Sequence, residues 1–153
     1  MEESLPVKKK AKPPRPEHRV VAFIEGTGEN EGKWLIRQRP QEGLLARMWE
    51  LPHIEWTSLE WGADDKHGEE LRSSLVQTEG IDVSPHNWAM DADHIFSHIH
   101  WHMKVYRCRM DDKNHSGAWI PFHYRWIDKD DVENYAFPNV FLKIMQSLAN
   151  VSL

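Results

Sequence analysis

The stretch Glu69-Glu-Leu-Arg-Ser-Ser-Leu-Val-Gln-Thr-Glu-Gly-Ile81 decides how the rest of this chain is read. Leu71 and Leu75 stand four residues apart and so share one helix face, with Val76 beside them. Gly80 follows the last periodic position, where a left-handed residue closes a helix and glycine carries no Cβ to clash. The spacing predicts a helix over 69–79 with Leu71, Leu75 and Val76 turned inward.

Upstream, Val20–Glu25 is a short apolar run of β-forming residues, followed by Gly26, Gly28, Asn30 and Gly32. Lys33–Arg39 then alternates, with Trp34, Ile36 and Gln38 on one side. These features predict a β-hairpin. Pro40–Pro52 carries Leu44, Leu45, Met48, Trp49 and Leu51, too apolar to lie loose in water, and is expected to pack across the sheet. Thr57–His67 is polar and irregular.

Downstream, the odd positions from Ile95 to Val105 (Ile95, Ser97, Ile99, Trp101, Met103, Val105) read as one strand with Ser97 its polar exception. Asp111–Gly117 reads as a turn and Trp119–Ile127 as another strand. Asp128 is placed to cap a short helix reaching about Tyr135, and Asn139 to cap a last one presenting Val140, Phe141, Ile144, Met145 and Leu148. Strands interleaved with two or three helices predict an α+β domain, with a mixed or antiparallel sheet packed against those helices.

Composition bounds the function. The chain has 153 residues, net charge −5, one cysteine and eight tryptophans. No apolar run approaches the ~20 residues of a membrane helix, and no signal-type segment follows Met1, so no membrane partner is expected. A single cysteine makes no internal disulfide and no four-thiolate cluster, which suits a reducing cytoplasm. Residues 1–19 hold six basic and three acidic side chains; subtracting these from the chain's 19 and 24 leaves 13 basic and 21 acidic, a net of −8. So acidic a body is a poor phosphate binder on its own. The segment 1–18, with Pro6, Pro13, Pro14 and Pro16, reads as an interdomain linker ahead of a domain at 19–150. Its Lys8, Lys9, Lys10 and Lys12 are candidate DNA contacts, though a solvated linker also explains them.

The order hairpin, apolar loop with Trp49-Glu-Leu-Pro52, then a helix ending Thr78-Glu-Gly-Ile81 resembles the Nudix (MutT-like) fold. Active members carry G-x5-E-x7-R-E-U-x-E-E-x-G-U, where U is apolar and the stacked glutamates hold Mg²⁺. Anchored on Gly80 and Ile81, the apolar position is Leu75. The arginine position, however, is Ser73, the first glutamate Ser74, and the glutamate pair Gln77 and Thr78. Glu69, Glu70 and Glu79 stand at other offsets, expected to face elsewhere. Neutral side chains cannot offset a divalent charge, so the fold is expected without the hydrolase, and no metal site or cofactor is expected in this chain.

A more specific resemblance lies in Leu35-Ile-Arg-Gln-Arg-Pro40, Gly43-Leu-Leu-Ala-Arg-Met-Trp-Glu-Leu-Pro52, His94-Ile-Phe-Ser-His-Ile99 and Tyr135-Ala-Phe-Pro138. Together they look like the C-terminal domain of A/G-specific adenine DNA glycosylases of the MutY type. Leu5-Pro-Val7 resembles the start of that family's connector from its iron–sulfur cluster. The resemblance implies base-excision repair. This domain would recognise 8-oxoguanine opposite adenine in duplex DNA, and an N-terminal catalytic domain, carrying a 4Fe-4S cluster, would excise the adenine. It also implies a cytoplasmic, nucleoid-associated protein in a bacterium, and no catalytic residue in this chain.

In that family Phe96, Ser97 and His98 match the lesion-reading loop. Guanine presents an acceptor at N7; oxidation at C8 places a hydrogen there, beside a new carbonyl oxygen. A hydroxyl both donates and accepts, so Ser97 can meet the altered edge. Phe96 would anchor the loop or lie against a base, and His98 would orient it or reach the backbone.

Three further features of the sequence admit more than one reading. His98, His100 and His102 fall at alternate positions and could share a strand face, where zinc binding competes with a plain solvated surface. Cys108 reads as a structural thiol. Trp34, Trp49, Trp101 and Trp126 read as core, whereas Trp56, Trp61 and Trp88 either cap the core edge or meet a partner domain. The competing function is a free-standing Nudix hydrolase of oxidised nucleotides such as 8-oxo-dGTP, using Glu55, Glu60, Asp64 or Asp65 in place of the box glutamates.

Overall fold

The computed structural model describes residues 12–57, 61, 67–110 and 120–150. Its centre is β1 (Arg15–Glu25), whose Val20, Val21, Ala22, Phe23 and Ile24 are all essentially inaccessible to solvent. A continuous apolar run of this kind marks a strand covered on both faces. Val21 and Phe23 point into one core with the C-terminal helix α2 (Asn139–Ala149); Val20, Ala22 and Ile24 point into the other with α1 (His67–Glu79).

The remaining strands are β2 (Trp34–Gln38), β3 (Trp49–Glu50), β4 (His53–Trp56), β5 (Ser84–Phe96), β6 (Ile99–Arg109) and β7 (Tyr124–Ile127). The sheet runs β3-β2-β1-β6-β5, with β4 also on β1 and β7 on β2. β1 and β6 pair in parallel from Arg15↔Ile99 to Glu25↔Arg109; the other pairings are antiparallel. The expected α+β class and mixed sheet are what the chain forms. No described helix is long and apolar enough to cross a membrane.

α1 is the expected helix, begun two residues earlier. Leu71 and Leu75 are fully buried, which contributes roughly 1.5–3 kcal/mol each. Gly80 closes the helix at φ 72°. Val76, expected inward, is 45% exposed, because its position on the turn falls off the stripe set by Leu71 and Leu75. The expected hairpin is reduced to one register pair, Glu25↔Trp34, since β4 occupies β1 beside His18–Val21. The apolar loop does pack against the α2 core through Leu44, Leu45 and Trp49. Two of the family-like stretches meet there: Trp49 N–H donates to the Ala136 carbonyl at 2.8 Å, and its ring meets Tyr135 edge-on.

The single strand expected over 95–105 is instead two. β5 and β6 pair down to Phe96↔Ile99, and the chain reverses at Ser97 and His98. β5 escapes periodic reading because it is a half-exposed edge strand carrying Pro85, Asp91 and Asp93, with register shifts between Pro85 and Asn87 and between Trp88 and Met90. Arg15–His18, assigned to the linker, already lie in β1, so the sheet begins before residue 19. Lys12 precedes it, while Lys8, Lys9 and Lys10 lie outside the described residues, as does the Asp111–Gly117 turn.

Of the strand expected over Trp119–Ile127, Trp119 lies outside the described residues, 120–123 are not strand, and Tyr124–Ile127 form β7. Asp128 caps a 3-10 helix over Lys129–Asn134, accepting from Asp130 N–H while the Asp131 side chain returns the bond to Asp128 N–H. α2 starts on Pro138, not on an Asn139 cap: the Pro138 carbonyl accepts from Phe141 and Leu142, and Asn139 is the first helical residue.

Candidate functional site

Two polar regions adjoin the ring of Trp101, which is wholly buried. One is the β5–β6 turn. Ser97 and His98 form its two-residue tip and are both exposed. Ser97 has φ 47° at the first central position, which glycine favours in such turns, so a serine there carries local strain of about 1–2 kcal/mol. Phe96 is 9% exposed, packs edge-on against Trp101 at 4.6 Å and meets the His94 ring at a tilt at 4.4 Å. The His98 carbonyl accepts from Arg15 N–H at 2.7 Å.

In the other region, His53 meets the Trp101 ring edge-on at 5.1 Å, and Arg19 and Arg39 approach it, within a cleft of about 560 Å³ lined by Arg19, Arg37, Arg39, Glu50, His53 and Glu79 among others. Glu50 is 2% exposed. Its carboxylate accepts from Arg37 Nε, Arg39 Nη1 and His53 Nε2, each at 2.8 Å. Burial alone would raise this carboxyl; His53 and the two guanidinium groups outweigh it and hold the group well below the usual carboxylate range. Burial lowers His53 despite Glu50, which keeps the imidazole neutral. Arg37 also donates to the His53 carbonyl at 2.8 Å and lies 3.5 Å from Glu79. Glu79 further accepts from Tyr124 Oη and faces His123 at 3.3 Å. Burial, reinforced by Glu79, pushes the Tyr124 hydroxyl up.

Glu79, expected to face away, thus turns into the cleft, while Glu69 and Glu70 are exposed as expected. The degenerate box positions stand on the same helix: Ser73, Gln77 and Thr78 face solvent, and Thr78 Oγ1 donates back to the Ser74 carbonyl at 2.8 Å. Glu50 and Glu79 of the cleft are thus both held by neighbouring side chains. Of the carboxylates considered for a hydrolase, Glu55 is exposed, and Glu60, Asp64 and Asp65 lie outside the described residues.

The histidine trio is broken up: His98 sits on the turn, whereas His100 bonds Asp93 at 2.9 Å and stacks on His102 at 4.0 Å. Cys108 is fully buried, and burial pushes its thiol up, away from a reactive thiolate. Trp34 and Trp101 are core; Trp49 and Trp126 are only partly buried, and Trp56, Trp61 and Trp88 pack at the edge of the α1 core.

A model of the NUDIX domain matches residues 26–147. The chain belongs to the NUDIX domain family. Within that family it is 26% identical to the adenine DNA glycosylase of Rattus norvegicus over 94% of its own length and 27% of the relative's, so it spans about a quarter of that protein. Its fold matches the C-terminal domain of mouse MUTYH, solved in complex with human PCNA, with TM-score 0.62 and 21% identity over 88% of each chain. It also matches a MutT protein from Methanosarcina mazei with TM-score 0.65 and 14% identity, covering 90% of this chain and 95% of that one. The domain is therefore a NUDIX domain similar to the one that ends an adenine DNA glycosylase.

Proposed function

We propose that this NUDIX domain reads the base opposite a mispaired adenine for a glycosylase, favouring 8-oxoguanine over guanine, and does no chemistry itself. The observation that carries the reading is the tip of the β5–β6 turn. Ser97 projects from a strained, exposed position whose two flanking residues are fastened, Phe96 by burial and His98 by its carbonyl. A hydroxyl held in this way can accept from the N7 hydrogen that oxidation creates, or donate to the new oxygen. Its partners are duplex DNA containing 8-oxoguanine:A and an adenine-excising domain bearing the iron–sulfur cluster. An acidic body suits a tethered module, because attachment to a DNA-gripping neighbour supplies an effective concentration of roughly millimolar order.

The alternative, hydrolysis of an oxidised nucleoside triphosphate, needs carboxylates free to hold Mg²⁺. The cleft where α1 ends has Glu50 and Glu79 already engaged by Arg37, Arg39, His53, His123 and Tyr124, and this weighs against it. The deciding experiment is an amide NMR titration of the 153-residue chain with two duplexes that differ only in 8-oxoguanine:A versus G:A. Larger shifts at Phe96–His98 with the oxidised duplex are expected, and Ser97→Ala should reduce the preference about two- to tenfold, the effect of one hydrogen bond. Equal shifts with both duplexes, or Mg²⁺-dependent release of pyrophosphate from 8-oxo-dGTP, would overturn the proposal.

A further inference from the structure

We infer that Glu17 is a positioning residue for the reading turn, so that the entry of the chain into the sheet and the lesion reader form one hydrogen-bonded unit; the inference rests on the role proposed for the turn. In the parallel ladder Arg15 lies beside Ile99 and Glu17 beside Trp101. Two connections run from this short segment to the two residues flanking Ser97. Through the backbone, Arg15 N–H holds the His98 carbonyl at 2.7 Å. Through side chains, Trp101 Nε1 donates to Glu17 Oε1 at 3.2 Å, and the same indole packs edge-on against Phe96 at 4.6 Å.

Glu17 is itself fixed. Its carboxylate accepts from Arg15 Nη2 at 2.9 Å and from Arg19 Nη2 at 3.0 Å, and its side chain is only 16% exposed. Burial alone would raise this carboxyl, but the bonds from Arg15, Arg19 and Trp101 keep it ionised across the working pH range. An ionised acceptor makes the indole bond stronger and more directional than a neutral one. That bond sets the rotation of the Trp101 ring, and the ring forms the wall on which Phe96 rests. A left-handed serine persists only where its surroundings over-determine it, and here both neighbours are held from β1. Loosening Glu17 frees the ring, then Phe96, and Ser97 loses its aim without losing its hydroxyl.

The test compares Glu17→Leu, which removes the acceptor, with Glu17→Gln, which keeps a neutral one. The 153-residue chain is titrated with 8-oxoguanine:A and G:A duplexes, and ¹⁵N relaxation is recorded without DNA. Glu17→Leu should lower the affinity ratio between the duplexes about two- to tenfold and broaden the Ser97 and His98 amides, while Glu17→Gln restores part of both. Combined with Ser97→Ala, Glu17→Leu should cause no further loss, since both act through one hydroxyl. Should Glu17→Leu fail to fold, Trp101→Phe removes the same bond from the donor side and should give the same loss. An unchanged ratio in Glu17→Leu alongside a reduced one in Ser97→Ala overturns the inference and leaves the turn's role standing. Additive losses in the double variant also overturn it. No preference in the unaltered chain overturns the turn's role and this inference together.

Discussion

The turn at Ser97 and the cleft at Glu50 share the Trp101 ring yet are built on opposite terms. In the cleft both oxygens of Glu50 have an arginine or histidine partner and Glu79 is held by Arg37, His123 and Tyr124, and Glu50 is sealed from water. At the turn the polar tip is left open and the backbone is strained. A cleft whose carboxylates are engaged from within braces the fold, although Arg19 Nε and His53 Nδ1 there have no hydrogen-bond partner among the described residues. A site that is strained and incompletely satisfied can be completed by a ligand. The contrast is between carboxylates engaged by the protein's own side chains and a polar tip open to a partner.

The largest expected break of that contrast lies in the cleft. Glu50→Gln leaves Arg37 and Arg39 facing a neutral amide in a buried setting, and removing one partner from a buried ion pair costs about 3–5 kcal/mol. Urea unfolding should show that loss, whereas Ser97→Ala, measured in the same way, should leave the midpoint nearly unmoved. A Glu50→Gln chain as stable as its parent would show that the cleft does not brace the fold.

Acid should separate the regions next. Burial holds His53 below its ordinary value, so as pH falls through about 6.5 the unfolded chain takes up a proton that the folded chain resists. Stability therefore drops with falling pH, by up to about 1.4 kcal/mol per unit from this one group. Burial lowers His18 and His94 as well, and they act in the same direction. Below about pH 4.5 Glu50 and Glu17, both held low, steepen the fall, because their ionised forms stabilise only the folded state. Unfolding midpoints from pH 8 to 3 should show both slopes, and His53→Gln should flatten the upper one. A parent curve that is flat between pH 6.5 and 5 would refute the buried neutral imidazole.

How much of this was legible depended on sequence distance. α1 could be read because Leu71, Leu75 and Gly80 lie within three turns of one another. The turn at Ser97 was legible as a triplet and misplaced as a structure. A two-residue reversal changes which parity faces inward: Phe96 and His94 precede it on the core side, and Ile99, Trp101 and Met103 follow it. Ile95, counted inward by parity, is 54% exposed. The polar exception in the supposed strand was the turn itself. The cleft was not legible, because Arg37 finds Glu50 thirteen residues away and Tyr124 finds Glu79 forty-five away. One local signal was present: Arg37 and Arg39 follow Leu35 at alternate positions, on the face that Leu35 buries.

A smaller effect probes the helix that carries the degenerate box. Gly80 holds φ 72° at the end of α1, a conformation that costs a residue with a Cβ about 1 kcal/mol. Gly80→Ala should lower stability by that amount in thermal unfolding and leave duplex preference intact, because α1 packs on the core opposite the turn. A change in preference would connect the box helix to the turn at Ser97.

The smallest effect on stability falls on the residue with the largest proposed role. Ser97 at φ 47° has a Cβ where glycine would have none, so Ser97→Gly relieves strain while giving the unfolded chain more freedom to lose. The two terms oppose, and relief of the left-handed strain exceeds the entropic term by roughly 0.5 kcal/mol at this φ. Ser97→Gly should therefore raise the unfolding midpoint slightly while abolishing the hydroxyl's share of the 8-oxoguanine preference. Ser97→Ala should lose the same preference with no gain in stability. A stabilised glycine variant that still prefers the oxidised duplex would take the hydroxyl out of the mechanism and leave the strain at residue 97 without a purpose.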